Sequence, residues 1–270
     1  YAFFGYHFTT KEEIAFSSFG ISFEHLEEWV GKSPFEVELL REEDTLKGYR
    51  LTVLPADPIE FPINSKKGLL RIASSVYPDN KERFKTFRIT NETFVLFKSE
   101  TKQDLLWYTR LFFDLERLFI LLLGGTTYPR KIQAYVRNEV DERRSSKVHI
   151  FMVPHGRFQS SNSYHHEMLI PLSEISSNLQ EIFESWLVDA KDLRPTYDMF
   201  FAQIFRPEMY METKFLNLMQ ALESLHKSKN PEKCSLRKRV NDLFEGLDDE
   251  LKQLVTKEVQ KFTDQIINWR

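Results

Sequence analysis

Four cations crowd the start of a helical stretch near the end of the sequence: Lys233, then Arg237, Lys238 and Arg239. Positive charge at a helix N-terminus opposes the helix dipole, so local helix stability does not explain the cluster. Phosphate binding would explain it; a solvated charged face is the other reading of such a run. Arg143 and Arg144, at the tip of a polar loop, carry the same two readings. Arg270, the last residue, closes the helical stretch Asp264-Gln265-Ile266-Ile267-Asn268-Trp269-Arg270. An arginine presents a fixed, always charged fork that matches phosphate. It also reads as a solvated cation at a helix end, where positive charge is mildly favoured. Glu223 and His226, three residues apart in an earlier helical stretch, share one side of it.

Other chemistries find less support. Of His149, His155, His165 and His166, only the last two are close in sequence, and zinc sites want ligands a few residues apart on a turn or helix. No metal is expected, and no cofactor. There is no glycine-rich phosphate loop, no Gly-x-Ser-x-Gly elbow and no cysteine–histidine nucleophile arrangement around Cys234. The single cysteine cannot form an internal disulfide, which fits a reducing cytosol.

The elements that must position these groups change character along the chain. Apolar and polar residues alternate with period two in Phe35-Glu36-Val37-Glu38-Leu39 and from Lys131 to Arg137, the pattern of strands with one wet face. Similar runs occur at Tyr49 to Leu54, Gly68 to Val76, Phe84 to Phe97 and Lys147 to Val153, separated by Pro55, Pro58, Pro62, Pro78 and Pro154. One helix interrupts them: Thr101 can cap it, Asp104 lies in its first turn, and Leu105, Phe112, Leu115, Phe119 and Leu122 recur at helical spacing before Gly124. It is expected to lie across the sheet.

After Pro171 the period becomes helical, with Leu179, Ile182, Phe183, Trp186 and Leu187 on one face of a helix from about Ser173. Pro195 and Pro207 sit where further helices can start, and Phe215, Leu218, Leu222 and Leu225 form a seam in the next. Two more helices are expected, about Ser235 to Phe244 and Asp249 to Arg270. The fold class is therefore α+β: an antiparallel, β-rich, sandwich-like domain with a packed helix over 1–172, then a helical bundle over 173–270.

Bulk numbers exclude some classes. With 24 Phe, 10 Tyr and 41% hydrophobic residues the chain can bury a large core, and its 29% charged residues are too well mixed with apolar ones for disorder. A net charge of -3 gives no overall attraction to nucleic acid, so any RNA contact must be local. The strongest apolar run, Leu118 to Leu123, is far short of the roughly 20 residues of a membrane span. The chain begins at Tyr1 without a methionine and ends in mid-helix, so a fragment of a longer protein is expected.

The order of Phe215-Leu216-Asn217-Leu218-Met219-Gln220-Ala221-Leu222-Glu223-Ser224-Leu225-His226, the basic helix start Leu236-Arg237-Lys238-Arg239-Val240, and a helix ending on Arg270 resembles the ApeA-like branch of the HEPN family. The strand-rich first part looks, more loosely, like the N-terminal domain of ApeA-type bacterial anti-phage proteins. The resemblance implies a metal-independent ribonuclease of abortive infection. Arg270 would be the family's phosphate-holding arginine, and the proton-moving histidine would follow about four to six residues later, beyond the chain. Glu223 would orient one of that pair, and Lys233, Arg237, Lys238 and Arg239 would contact RNA. The implied partners are an RNA substrate, a phage-derived trigger and a second copy joined through the helical domain, in the cytoplasm and without a membrane. The competing reading is a binding module without chemistry, recognising a phage protein or nucleic acid. A third, a sugar- or peptide-binding sandwich, would need Tyr135 and Tyr164 exposed together.

Overall fold

The computed structural model describes residues 1–42, 44–54, 56–79, 88–137, 145–152, 168–206, 208–229 and 251–253. The chain divides into two compact units, Tyr1–Ala190 and Lys191–Arg270.

The first unit is built on one seven-stranded sheet, every neighbouring pair antiparallel. Its strands are β1 (Ala2–Phe4), β2 (Ala15–Phe23), β5 (Ile59–Ile63), β6 (Gly68–Asp79), β7 (Arg88–Asp104), β8 (Pro129–Arg137) and β9 (Ser145–Phe151). Their spatial order is β1-β9-β8-β2-β7-β6-β5. Register aligns the apolar positions into rows across the strands. One row runs Phe3, Ile150, Ile132, Ile21, Val95, Ile72 and Ile59; the next runs Val148, Ala134, Phe19, Phe97, Leu70 and Phe61. Because side chains two apart on a strand share a face, both rows point the same way and need a cover.

The cover is helical. Helix α2 (Leu105–Leu123) sets Tyr108, Phe112, Leu115, Phe119 and Leu122 at helical spacing against the sheet, all of them buried. Phe19 meets Tyr108 and Phe112 at ring-centroid distances of 5.1 and 4.7 Å, and Phe23 meets Phe119 at 5.3 Å. The expected sheet-with-helix packing is present, with helices rather than a second sheet as the opposing layer. The helix begins later than Thr101, because β7 keeps pairing with β2 as far as Asp104 opposite Ala15. Asp104 is the cap: its carboxylate accepts from the Trp107 amide at 2.7 Å. Gly124, at φ 73, closes the other end with its amide on the Ile120 carbonyl, a left-handed geometry that glycine adopts without cost.

Short elements fill the periphery. Helix α1 (Leu26–Val30) buries Leu26 and Trp29 completely, and the Trp29 indole donates to the Ile170 carbonyl at 3.0 Å. Strands β3 (Phe35–Glu42) and β4 (Thr45–Val53) form a separate two-stranded sheet. Both were legible as strands, but their apolar side is not buried: Val37 is 62% and Tyr49 65% exposed. Pro62 and Pro78, expected between strands, lie inside β5 and β6. β5 is the last strand of the sheet and pairs with β6 only up to Ile72, so both prolines sit along a margin that lacks a second neighbour.

Helices α3 (Leu172–Ile175) and α4 (Leu179–Asp189) stand where a second domain was expected to open, yet they belong to the first unit. Leu179, Phe183 and Leu187 join its core. Phe183 packs on Phe61 and Phe119 at 5.5 and 6.0 Å, and the Trp186 indole donates to the Asp114 carbonyl at 2.6 Å. An apolar helix face finds its cover wherever apolar area is open, and here that is the sheet.

In the second unit, α5 (Arg194–Phe205) carries Pro195 in its first turn and buries Phe201, and α6 is Met211–Lys229. The expected seam of α6 is rotated: Leu218 and Leu222 are 36% and 39% exposed, whereas Ala221 and His226 are buried. The two later helices fall outside the described residues except for helical 251–253. Among the described residues, no helix is long and apolar enough to cross a membrane.

Phe119 touches Phe23, Trp29 and Phe183, so Phe119→Ala is expected to lower unfolding free energy by about 3–5 kcal/mol. Urea unfolding followed by circular dichroism measures it; a loss below about 1 kcal/mol would mean that this ring is not central to the core.

Candidate functional site

Of the residues singled out by type and spacing, Glu223 and His226 are described. Both lie on α6, the first exposed and the second buried at 4%. Spacing alone places them on one side of the helix, but the inward turn of Ala221 and His226 leaves Glu223 at the water-facing margin. Glu223 is thus exposed on the helix surface, while His226 is part of the packing. Arg270, Lys233, Arg237, Lys238 and Arg239 lie outside the described residues, as do Arg143, Arg144, Tyr164, His155, His165 and His166. His149 lies in β9, opposite Gln133 and Phe4. Among the described residues, no three or more His, Cys, Asp or Glu side chains are placed to hold a metal ion. Tyr135, on β8, is half-buried, and burial pushes its hydroxyl above the ordinary tyrosine range.

Polar groups on the sheet are gathered into paired clusters. Glu27, from α1, accepts from the Thr93 amide at 2.6 Å and from Arg130 at 2.6 Å, and Arg130 also reaches the Ser22 hydroxyl at 3.2 Å. Beside it, Lys131 holds Glu92 at 2.7 Å and the Tyr77 hydroxyl at 3.0 Å, while Tyr77 donates to the same carboxylate at 3.1 Å. Burial alone would lower the Lys131 pKa, but Glu92 and Tyr77 outweigh it and raise it. These groups satisfy one another, so the clusters pin β8, β2, β7 and β6 together and leave no group poised for reaction. Glu184 does comparable work for α4, accepting from the amides of Asn64 and Ser65 at 2.7 and 2.8 Å. Burial would push its carboxyl up, yet the Ser65 hydroxyl, the two amides and Lys66 hold it below the ordinary value.

One titratable group stands apart. Glu116 projects from α2 into a narrow apolar cleft between that helix and the sheet, lined among others by Phe112, Ile132 and Ile150. The cleft encloses about 20 Å³, room for roughly one water. Burial pushes the Glu116 carboxyl from 4.5 up to about 7, with the Arg117 charge pulling it the other way. Such a group takes up and gives up a proton near neutrality. Sequence reading passed over Glu116, although its place four residues after Phe112, within the apolar face of α2, was a usable signal.

The family model for ApeA N-terminal domain 1 matches residues 1–186. The chain belongs to that family. It is a defence-related, ApeA-like protein. No curated protein matches it, and no solved structure does. The ApeA N-terminal match ends within α4, four residues short of the unit boundary at Ala190, so the family domain and the sheet-and-helix unit nearly coincide. Core packing explains the coincidence, since α4 cannot be removed from this domain without uncovering Phe61 and Phe119.

Because the folded chain keeps the Glu116 proton to higher pH than the unfolded chain, this group favours folding fully below about 4.5, and that contribution is lost as pH rises through about 7. Glu116→Gln is expected to flatten this part of the profile and to stabilise the protein at pH 8, relative to pH 4, by up to about 3 kcal/mol more than wild type. Urea titrations at several pH values test it. A wild-type profile unchanged by the substitution would show that the carboxyl is not held neutral.

Proposed function

We propose that this ApeA-like chain belongs to a HEPN-type, metal-independent ribonuclease of bacterial anti-phage abortive infection, with the first unit sensing infection or restraining the nuclease. The observation that carries the reading is the ApeA N-terminal match over the first unit, followed in sequence by a second unit with the motif order Ala221-Leu222-Glu223, the basic run Arg237-Lys238-Arg239 and Arg270.

In this reading Arg270 holds the scissile phosphate as negative charge builds on it, a task suited to a planar guanidinium that never loses its charge. A histidine about four to six residues further on would take the proton of the 2'-hydroxyl as that oxygen attacks its own phosphodiester, and general acid–base help of this kind supplies about 10²- to 10⁴-fold. Glu223 orients one of the two, a role consistent with its exposed position on α6. Lys233, Arg237, Lys238 and Arg239 bind flanking phosphates, and being local they suit a chain whose net charge is -3. A second copy completes the cleft through the helical unit, and a phage-derived molecule releases the activity.

The test is cleavage of single-stranded RNA by protein that includes the residues after Arg270. Cleavage is expected to survive chelator and to fall by about 10²- to 10³-fold with Arg270→Ala, with Arg270→Lys recovering little because a lysine lacks the fork. Cleavage that needs a metal, or that ignores Arg270→Ala, would contradict the mechanism. Absence of cleavage from protein purified out of phage-infected cells would favour the binding-module reading.

A further inference from the structure

On α2, Thr109, Phe112, Phe113 and Glu116 recur at three- and four-residue spacing, so they share one side of the helix and line the cleft between it and the sheet. Opposite them stand Ile21 of β2, Ile132 of β8 and Ile150 of β9. Among the described residues, Glu116 brings the one carboxyl or amine side chain to this lining, and it is 8% exposed. The Thr109 hydroxyl is already engaged, donating to the Leu105 carbonyl at 2.7 Å, and the Tyr1 hydroxyl lies 3.5 Å from it. Among the described residues no hydrogen bond reaches the Glu116 carboxyl; burial and the charge of Arg117 are what act on it. A buried carboxyl without a hydrogen-bond partner costs folding free energy. Unlike Glu27, Glu92 and Glu184, this one ties no element in place.

We propose that this cleft binds an unbranched primary alkylammonium ion, its ammonium group on the Glu116 carboxylate and its chain along Phe112, Ile132 and Ile150. Three features select such a ligand. The enclosed room, about 20 Å³, takes one water-sized group; an ammonium is that compact, whereas a planar guanidinium is not. Apart from Tyr1, Thr109 and Glu116 the lining is apolar, so methylenes are accommodated where a second polar group would be stranded. A carboxylate in apolar surroundings is best met by a cation that also donates hydrogen bonds, because the ion pair and the hydrogen bond together offset what each group loses on leaving water. The Glu116 carboxyl, pushed up to about 7 by burial, ionises when such a cation arrives. Of the elements packed around it, α2 contributes Arg117 as the other charge and the start of the chain contributes Tyr1, while β2, β8 and β9 bring apolar side chains to the cleft.

The site lies within the first unit, so its test is independent of the ribonuclease reading. n-Butylammonium chloride is titrated into the full chain at pH 8 and constant ionic strength, and binding is followed by the methyl resonances of Ile132 and Ile150. Saturable binding is expected, weakened at least about tenfold by Glu116→Gln and at least about tenfold when n-butanol replaces the amine. From ethyl- to propyl- to butylammonium the affinity is expected to rise about three- to fourfold per methylene; this series needs no variant and so holds whether or not the substitution disturbs folding. Lowering the pH from 8 to 5 is expected to weaken butylammonium binding at least about tenfold, because the carboxyl takes up its proton while the amine keeps its own. Nα-acetyl-lysine amide carries the same head and stem on a backbone: binding as tight as that of butylammonium supports a lysine of a protein partner as the source, and weaker binding supports a free amine. No saturable binding of butylammonium, binding unchanged by Glu116→Gln, or n-butanol bound as tightly as the amine overturns the proposal.

Discussion

Two rows of apolar side chains, laid across the seven strands in register, must be kept from water, and most of the first unit can be read as the response to that requirement. Six or seven side chains in each row present more apolar area than a sheet can leave exposed, since each buried aliphatic or aromatic group is worth about 1.5–3 kcal/mol. Helix α2 meets the demand along the middle of the sheet, where Phe19, Tyr108 and Phe112 interlock. Helix α4 meets it beside β5, where Phe183 lies between Phe61 and Phe119. Trp29, from α1, closes on Phe119 at 5.2 Å. Phe119 therefore joins pieces of chain more than a hundred residues apart, and it is the ring through which strand, helix and connecting segment become one unit.

The polar groups follow from the same geometry. A sheet covered on one face must be held in register by what lies along its strands, and the Glu27–Arg130 and Lys131–Glu92 pairs do this across β8, β2, β7 and β6. In both pairs the carboxylate is largely covered while the cation stays partly in water, so the pairs fix an arrangement and contribute modest stability. Glu116 is the exception, a carboxyl set among aromatic rings with its proton retained to about 7.

Much of this was legible from the residues. The alternations around Val37, Ile132 and Val148 marked real strands, and the Phe112–Leu115–Phe119 spacing marked α2. β2 left no such mark. It lies in mid-sheet, and Phe19 through Phe23 are all buried, so period two is replaced by an almost continuous run in which small residues, Gly20 and Ser22, stand between the large ones. A Cβ at Gly20 would come within 2.9 Å of the Leu96 side chain, which would have to turn aside. The cap of α2 was displaced from Thr101 to Asp104 because strand pairing outlasts the polar run. The open face of β3–β4 was misjudged for a different reason: alternation reports which side is apolar, not whether anything covers it. Of the candidate site, Glu223 was correctly foreseen on a helix, while the burial of His226 depends on how α6 is turned, which seam spacing leaves undetermined by one position.

The family domain includes its own covering helices, and a second unit follows it in sequence, with Glu223 exposed on α6. The most direct measurement of the functional reading is phage plating on bacteria that express the longer protein. Wild-type protein is predicted to reduce plating and to leave total RNA fragmented in infected cells, with Arg270→Ala restoring both plating and intact RNA at equal protein level. Protection that persists in full with Arg270→Ala, or protection with RNA left whole, would contradict a nuclease acting through that arginine.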